Sequence, residues 1–388
     1  MTLRKAIFWT HLMCGVVSGV IVAIMSATGV AIAFEEELLG WKDREVAHIK
    51  PTADADARRL TLDELRAASL RQRPEFAVDH ATIFRDPDHA VVLHAGREGP
   101  LYANPFTGEV RDSRAHGLHD VLHELEGWHR WLGMEGDWFP VGRAITGACN
   151  VAFVGLCVTG LWLWWPRSWH VRALKPRLWL MRGWRGKARD RNWHDALGFW
   201  SLPVLLVLGL TGVVISYEWG HRLVFTLAGE QAPESRNFGM FALPPLTVPE
   251  PSPGAEPVSL EQALAVIAAR FPEWRSIGLG YPEAGGDGEA LRPLHFDVVL
   301  PDYMPNRAWV PVESDPFTGE ILRAVHYHDR SPGLRARVWM RFLHTGGGFG
   351  LTGKVIVTVA SLAALVLVYT GFALSWRRLL RSGRSRPA

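Results

Sequence analysis

Four histidines recur at matching positions in this chain, and paired imidazoles are metal ligands. His11 lies near the start of the apolar stretch "WTHLMCGVVSGVIVAIMSATGV" (9–30), and His194 near the start of "NWHDALGFWSLPVLLVLGLTGVV" (192–214). A Thr-Gly-Val triplet follows each, with the same 18 residues from histidine to glycine (29 − 11 and 212 − 194). His129 in "LEGWHRWLG" and His344 in "MRFLHTGGG" each precede a further apolar stretch. They stand 14 and 10 residues before the basic residues Arg143 and Lys354, so the first copy needs a four-residue insertion, placed in "MEGDWF" (134–139). Two opposed imidazoles can supply both axial ligands of a haem iron. His11 with His194, and His129 with His344, are therefore read as two such pairs, and the expected cofactor is haem b, two per chain. Apolar helices would sandwich the macrocycle, with Arg4, Lys5 or Arg191 meeting propionates at the first pair. No C-x-x-C-H occurs, which excludes covalent c-type attachment.

Other residues compete for these roles. Met340 lies one turn before His344 and is an alternative ligand. His119 and His123, four apart on one helix face, could bind metal or replace His129, but read more simply as a solvated face. His326 and His328 share one side of an expected strand and are taken as surface residues.

The elements that must hold the histidines follow from the charge pattern. Stretches 6–34, 144–166, 196–217 and 355–376 contain no Asp, Glu, Lys or Arg. Each is long enough to cross a bilayer, which takes about 20 residues of helix. The chain thus divides into transmembrane helix 1 (1–35), a soluble domain (36–135), helix 2 (138–166), a basic loop (167–191), helix 3 (192–221), a second soluble domain (222–342), helix 4 (350–376) and a tail (377–388). An Ala31-Ile32-Ala33 triplet resembles a signal cleavage site. The apolar run before it exceeds the roughly 7–15 residues of a signal core, so the segment is read as a retained anchor.

The halves repeat one another. Thr61-Leu-Asp-Glu64 and Ser259-Leu-Glu-Gln262 are capping boxes that open a helix in each soluble domain. The helices end near "RPEF" (73–76) and "FPEW" (271–274). Alternating segments "ATIFR", "AVVLHA" and "HFDVVL" follow as strands. The turns "NPFTGEV" (104–110) and "DPFTGEI" (315–321) lie 56 residues before second Thr-Gly pairs at 159–160 and 370–371 (160 − 104 and 371 − 315). The expected fold is a membrane α+β protein: four transmembrane helices from two parallel helix–domain–helix repeats, with two α+β domains on one side. A pseudo-twofold axis along the membrane normal would put equivalent histidines at equal depth.

Charge gives the orientation. The 167–191 loop carries nine Arg or Lys against one acid, Asp190, and both ends of the chain are basic. Short basic loops stay in the cytoplasm, so both termini are expected inside and both domains in the periplasm of a bacterial inner membrane. The net charge of +3 averages over this asymmetry and reflects topology, with no nucleic-acid partner expected. Cys14, Cys149 and Cys157 all fall in membrane segments, so no disulfide framework supports the soluble domains. Gly348-x-x-x-x-Gly353-Lys354 imitates a P-loop but continues with Val355, and Gly278-x-Gly280 is an incomplete dinucleotide fingerprint. An electron donor would therefore be membrane-borne, such as a quinol, or another membrane protein. Gly15-x-x-x-Gly19 reads as close helix packing. Trp162, Trp164, Trp165 and Trp376 read as an interfacial aromatic belt, and Trp128, Trp131 and Trp193 as residues that could pack on haem.

With its paired "PFTGE" turns, "WHRWLG" and "FLHTGG" segments and late Thr-Gly pairs, the chain resembles the PepSY-associated transmembrane family of bacterial inner-membrane proteins over nearly its whole length. Within that family it is most similar to ferric-siderophore reductases of the FoxB type. The resemblance implies PepSY-like soluble domains, haem b held by His11, His194, His129 and His344, and reduction of siderophore-bound iron in the periplasm to Fe(II) during iron uptake. A hydroxamate siderophore suits that chemistry, because its oxygen ligands hold Fe(III) far better than Fe(II). The substrate is expected between the two soluble domains, with Trp128, Arg130 and Trp131 lining its approach. Three other readings remain: a siderophore permease, a PepSY-type binding or regulatory membrane protein without redox chemistry, and a haem protein with another acceptor such as free ferric ion, copper or a protein.

Overall fold

The computed structural model describes residues 2–49, 58–96, 98–233, 246–282, 291–301, 304–305 and 309–383. Arg384 and Arg386 of the basic tail lie outside them. Among the described residues the helices are α1 (Leu3–Ile32), α2 (Glu35–Ala47), α3 (Leu62–Gln72), α4 (His116–Trp131), α5 (Phe139–Trp164), α6 (Val171–Leu178), α7 (Gly186–Ser216), α8 (Glu218–Leu227), α9 (Leu260–Arg270), α10 (Pro332–Thr345) and α11 (Gly350–Gly383). The strands are β1 (His80–Phe84), β2 (Val91–His94), β3 (Leu101–Ala103), β4 (Val110–Asp112), β5 (Ser276–Gly280), β6 (Leu294–Val299), β7 (Trp309–Ser314) and β8 (Ile321–Ala324). The described residues form two compact units, one from those within 2–35, 121–232 and 336–383 and the other from those within 36–120 and 233–335.

The first unit is a four-helix bundle. α1, α5, α7 and α11 lie within spans long and apolar enough to cross a membrane. Around the bundle α1 packs on α5 and α11, and α7 packs on the same two, so α1 and α7 are diagonal. Apolar side chains such as Val17, Val20, Val158, Leu210, Val359 and Leu362 are exposed on its outside. That is the polarity of a surface meant for lipid, whereas a water-soluble bundle turns such residues inward. Small residues bring the helices close: a Cβ on Gly19 would lie 2.8 Å from the Phe372 ring. The Gly15-x-x-x-Gly19 motif thus acts through its second glycine. α7 begins at Gly186, inside the stretch read as a basic loop, and α6 occupies another part of that loop.

The second unit is one antiparallel sheet in the order β4-β3-β2-β1-β5-β6-β7-β8. This corrects the expectation of two separate α+β domains with a substrate between them. β1 pairs directly with β5, from Ala81 opposite Leu279 to Phe84 opposite Ser276, so the two halves meet as neighbouring strands rather than across a gap. Alternation sets the core face. On β6, Leu294, Phe296 and Val298 point inward while His295 is exposed. They join Leu93, Ile277, Leu279, Val310 and Val312, and Leu62 and Leu65 of α3 and Leu260, Ala263 and Ile267 of α9 complete the same core. Both capping boxes form as expected, from Thr61 with Glu64 and from Ser259 with Gln262. Tyr281 Oη donates to the Leu62 carbonyl (2.8 Å), tying the halves together a second time.

The two heptapeptide turns are near copies. Asn104 and Asp315 each accept backbone N–H groups from the residues two and three further on. Gly108 and Gly319 both take φ of 71°, a left-handed conformation that favours glycine. On the opposite face α2 packs over the strands of the first half, with Val46 against Val92 and Tyr102. Its buried Asp43 accepts from Tyr102 Oη (3.0 Å), Ser113 Oγ (2.7 Å) and the Ala115 N–H (3.0 Å). His326 and His328 do not share a strand. β8 ends at Ala324, and the two rings stack 5.3 Å apart around a short turn, because Asp329 accepts the His326 N–H and closes it.

Phe296 is 1% exposed at the centre of the shared core. Phe296→Ala should cost about 3–5 kcal/mol, read as a lower thermal midpoint of the detergent-purified chain.

Candidate functional site

All four histidines belong to the helical unit, and each faces its sequence-predicted partner. The His11 and His194 ring centres are 6.5 Å apart, with the rings 86° to each other. Those of His129 and His344 are 6.2 Å apart at 68°. The first pair joins the diagonal helices α1 and α7. The second comes from the ends of α4 and α10, set against α1 and α7. His11 and Thr28, which contacts His129, are 17 residues apart on α1 (28 − 11). At about 1.5 Å per residue the two levels are roughly 25 Å apart along the helix.

The insertion before α5 does not disturb this match. A Cβ on Gly142 would strike the Trp131 carbonyl, and one on Gly353 would strike the Gly346 carbonyl, so Trp131 and Gly346 are equivalent. Each lies two residues beyond its histidine. Short turns at Gly136–Trp138 and Gly347–Phe349 then lead directly into α5 and α11. The four extra residues are therefore Leu132–Glu135, slightly earlier than the sequence suggested.

Each histidine is held by a threonine of a Thr-Gly pair. His11 Nδ1 lies 2.8 Å from Thr159 Oγ1, and His194 Nδ1 lies 3.0 Å from Thr370 Oγ1. His129 Nδ1 lies 3.1 Å from Thr28 Oγ1, and His344 Nδ1 lies 3.0 Å from Thr211 Oγ1. The adjacent glycine clears room for the ring in three of the four cases. A Cβ on Gly29, Gly160 or Gly371 would stand 3.2, 3.4 or 3.7 Å from the Cε1 of His129, His11 or His194. At the fourth, Gly212, the neighbour is Asn150 instead.

These bonds set the tautomer. His129 Nδ1 also faces the Met25 carbonyl (2.9 Å), and His344 Nδ1 the Leu208 carbonyl (3.1 Å). A carbonyl only accepts, so both Nδ1 atoms carry the proton and donate it. The threonine hydroxyls at the first pair spend their own protons on helix carbonyls, Thr159 on Gly155 (2.6 Å) and Thr370 on Val366 (2.8 Å). Their oxygens are left to accept Nδ1–H from His11 and His194. In all four rings the lone pair is therefore on Nε2, the usual arrangement when a second partner orients a metal-binding imidazole.

The spacing within each pair fits one metal ion. With metal–nitrogen bonds of about 2.0–2.1 Å, and roughly 1.1 Å more from nitrogen to ring centre, two imidazoles on opposite sides of an iron have centres about 6.3 Å apart. Imidazoles hydrogen-bonded directly to one another would come to about 5 Å. Among the described residues no group of three or more His, Cys, Asp or Glu could hold a metal ion. Two nitrogens alone are too few for a bare ion such as zinc, which takes four ligands. They suit an iron whose other four nitrogens come with a porphyrin.

The competing residues stand elsewhere. It is His344, one turn beyond Met340, that meets His129. His119 and His123 lie 3.8 Å from Asp120 and Glu126 respectively. Trp128 Nε1 donates to Glu124 (2.9 Å), and Arg130 pairs with Glu126 (2.7 Å) while covering the Trp131 ring. Near the first pair Arg4 donates to the Leu163 carbonyl (3.0 Å) and Arg191 pairs with Asp195 (2.9 Å). Buried Asp190, one turn before His194, holds both Arg189 and Arg377 and so fastens α7 to α11. Arg337 and Arg341 precede His344 by seven and three residues, at helical spacing, and Arg337 Nε donates to His221 Nδ1 (3.1 Å). Neither arginine was singled out from sequence, although that spacing from His344 was a visible signal.

Four helices long and apolar enough to cross a membrane, two facing imidazole pairs in the same helical unit and an antiparallel sheet are the features of a membrane-type protein of the α+β class. The chain belongs to the family described as the PepSY-associated TM region, which matches residues 8–378. It is similar to a protein of Pseudomonas aeruginosa named only as uncharacterized, with 31% identity over 155 residues. That match covers 38% of this chain and 36% of the relative's length.

Two outcomes follow for the site. Gly29→Leu should push His129 aside and cost about 1–3 kcal/mol. Gly155→Leu is the control, because nothing lies within 4 Å of its Cβ position; thermal midpoints of the two variants make the comparison. The second concerns pH. Burial, reinforced by His129, pushes His344 down to about 4, and burial lowers His129 as well. An unfolded imidazole titrates near 6.5. The stability held by the neutral pair is thus complete above that value and declines as pH falls toward 4, since the unfolded chain takes up protons first. Thermal midpoints recorded from pH 7.5 to 4.5 should fall, and His344→Gln should flatten the slope.

Proposed function

We propose that this chain is a di-haem b oxidoreductase of the bacterial inner membrane. It passes electrons outward to a ferric siderophore and so releases Fe(II) during iron uptake. One observation carries the reading: two imidazole pairs, each with its ring centres at the spacing of a shared iron. The two halves are parallel copies of one helix–domain–helix unit. The 167–191 segment and both termini face the cytoplasm by their basic residues, which puts the sheet in the periplasm. His11 and His194 then form the cytoplasmic pair, and His129 and His344 the periplasmic pair.

Haem supplies reversible one-electron transfer at each pair. The chain supplies four oriented imidazoles, two levels set by α1 and α7, and cationic groups for the carboxylates. Arg337, which also holds His221, and Arg341 would meet propionates at the periplasmic pair, and Arg191, which also holds Asp195, at the cytoplasmic pair. A quinol or another membrane protein donates the electrons. Each electron converts one chelated Fe(III) to Fe(II), which a hydroxamate siderophore holds weakly, and the chelator leaves unchanged. The middle of the bundle is filled by Cys157, Leu205, Ala360 and Ala364, which weighs against a permease that carries the whole chelate.

The test is a reduced-minus-oxidised spectrum with quantified haem on the wild type and on His11→Ala, His194→Ala, His129→Ala and His344→Ala. Two haems per wild-type chain, and loss of one of them in each variant, are expected. Full haem in every variant would remove the ligand assignment. Dithionite-reduced protein should be reoxidised by a ferric hydroxamate siderophore; failure with hydroxamate and catecholate complexes alike would remove the reductase reading.

A further inference from the structure

The four imidazoles are held unequally. His129 and His344 each donate Nδ1–H to a backbone carbonyl as well as to a threonine oxygen. His194 has buried Thr370, with the Leu367 carbonyl beside it as a second acceptor. For His11 the Thr159 hydroxyl, at 2.8 Å, is the sole hydrogen-bond partner among the described residues. The Thr159 hydroxyl is itself oriented, because its proton goes to the Gly155 carbonyl one turn back. Gly160 beside it leaves the space that the His11 ring fills.

A main-chain carbonyl cannot be removed by substitution, so losing Thr28 or Thr211 still leaves an acceptor at Nδ1. Losing the Thr159 hydroxyl leaves none. A buried N–H without an acceptor is strongly disfavoured. The ring then rotates, or its proton moves to Nε2 and takes away the lone pair that a metal ion needs. Even if the ring keeps its place, an imidazole that no longer donates through Nδ1 is a poorer electron donor through Nε2. That favours the reduced metal.

We infer that Thr159 is the positioning residue on which the His11–His194 centre depends, while the threonines of the other centre are backed by main-chain carbonyls. This rests on the proposed haem ligation. A low-polarity position on α5, outside both pairs, would thus govern occupancy and potential of the cytoplasmic centre.

The experiment compares wild type, Thr159→Val, Thr159→Ser and Thr28→Val as purified full-length protein. Haem per chain, low-spin ferric electron paramagnetic resonance and a redox titration are recorded. Thr159→Val should either lose one haem or raise one of the two midpoints by at least a tenfold change in the oxidised-to-reduced ratio, about 59 mV for one electron. The other centre should stay unchanged, which also reports an intact bundle. Thr159→Ser keeps the hydroxyl and should match wild type, and Thr28→Val should shift its own centre less than Thr159→Val shifts the first. Two haems with unmoved midpoints in Thr159→Val would overturn the inference, as would an equal shift in Thr28→Val. If Thr159→Ser were as damaged as Thr159→Val, packing of the γ-methyl would be the cause and the inference would fail. A wild type without haem would instead bring down the proposed function beneath it.

Discussion

The bundle depends on one constraint: an imidazole placed among apolar helices must have a partner for each nitrogen. Solvent cannot supply one there, and a polar nitrogen left unpaired in such surroundings is costly. On one side of each ring the Thr-Gly pairs meet the requirement with a single device. The hydroxyl takes Nδ1–H, and the missing Cβ of the next residue usually makes room for the ring. What remains is the lone pair on Nε2, in a ring whose neighbour is the opposite histidine. The helix contacts follow from this. Thr159 must sit beside His11 and Thr370 beside His194, so α5 must pack on α1 and α11 on α7. Thr28 and Thr211 likewise fix the ends of α4 and α10.

The sheet solves a different problem. Four short strands with one helix make a thin core, and the β1 edge of such a half would expose unpaired N–H and C=O groups. Pairing β1 with β5 removes that edge from both halves and merges their cores. Tyr281 adds a bond from the start of the second half to the first turn of α3. The strand order reads the same inward from both ends, as expected when two similar halves join through their equivalent strands.

Much of this was legible in the residues. Charge-free stretches marked the four long helices, the capping boxes marked α3 and α9, and the "PFTGE" turns marked two strand pairs. Equal spacing from histidine to glycine identified partners that do face each other. The seam between β1 and β5 was not legible, because "ATIFR" and "SIGLG" carry the same inward alternation whether they end a sheet or continue one. Pairing across the halves is decided by an edge's need for a partner, which no local pattern records. The end of the basic loop was missed for a related reason. Arg189, Asp190 and Arg191 read as solvated loop, yet Asp190 is fully buried because arginines from α7 and α11 converge on it, and α7 starts before them. The Thr-Gly pairs were visible as repeated spacings, but their task was not. Thr159 and His11 are 148 residues apart, and only the packing of α1 on α5 brings them together.

The distribution of polar groups along the bundle bears on what could pass through it. Between the two histidine levels Ser18 donates to the Cys14 carbonyl, Ser201 to Leu197 and Asn150 across to Gly209, while the buried Thr358 hydroxyl has no hydrogen-bond partner among the described residues. Cys157, Leu205, Ala360 and Ala364 close the same region with apolar contact. A middle closed by apolar side chains is unsuited to moving a chelate, whereas the proposed electron transfer asks only for cofactors held at each end. Rigid holding is what the Thr–His bonds supply at both levels.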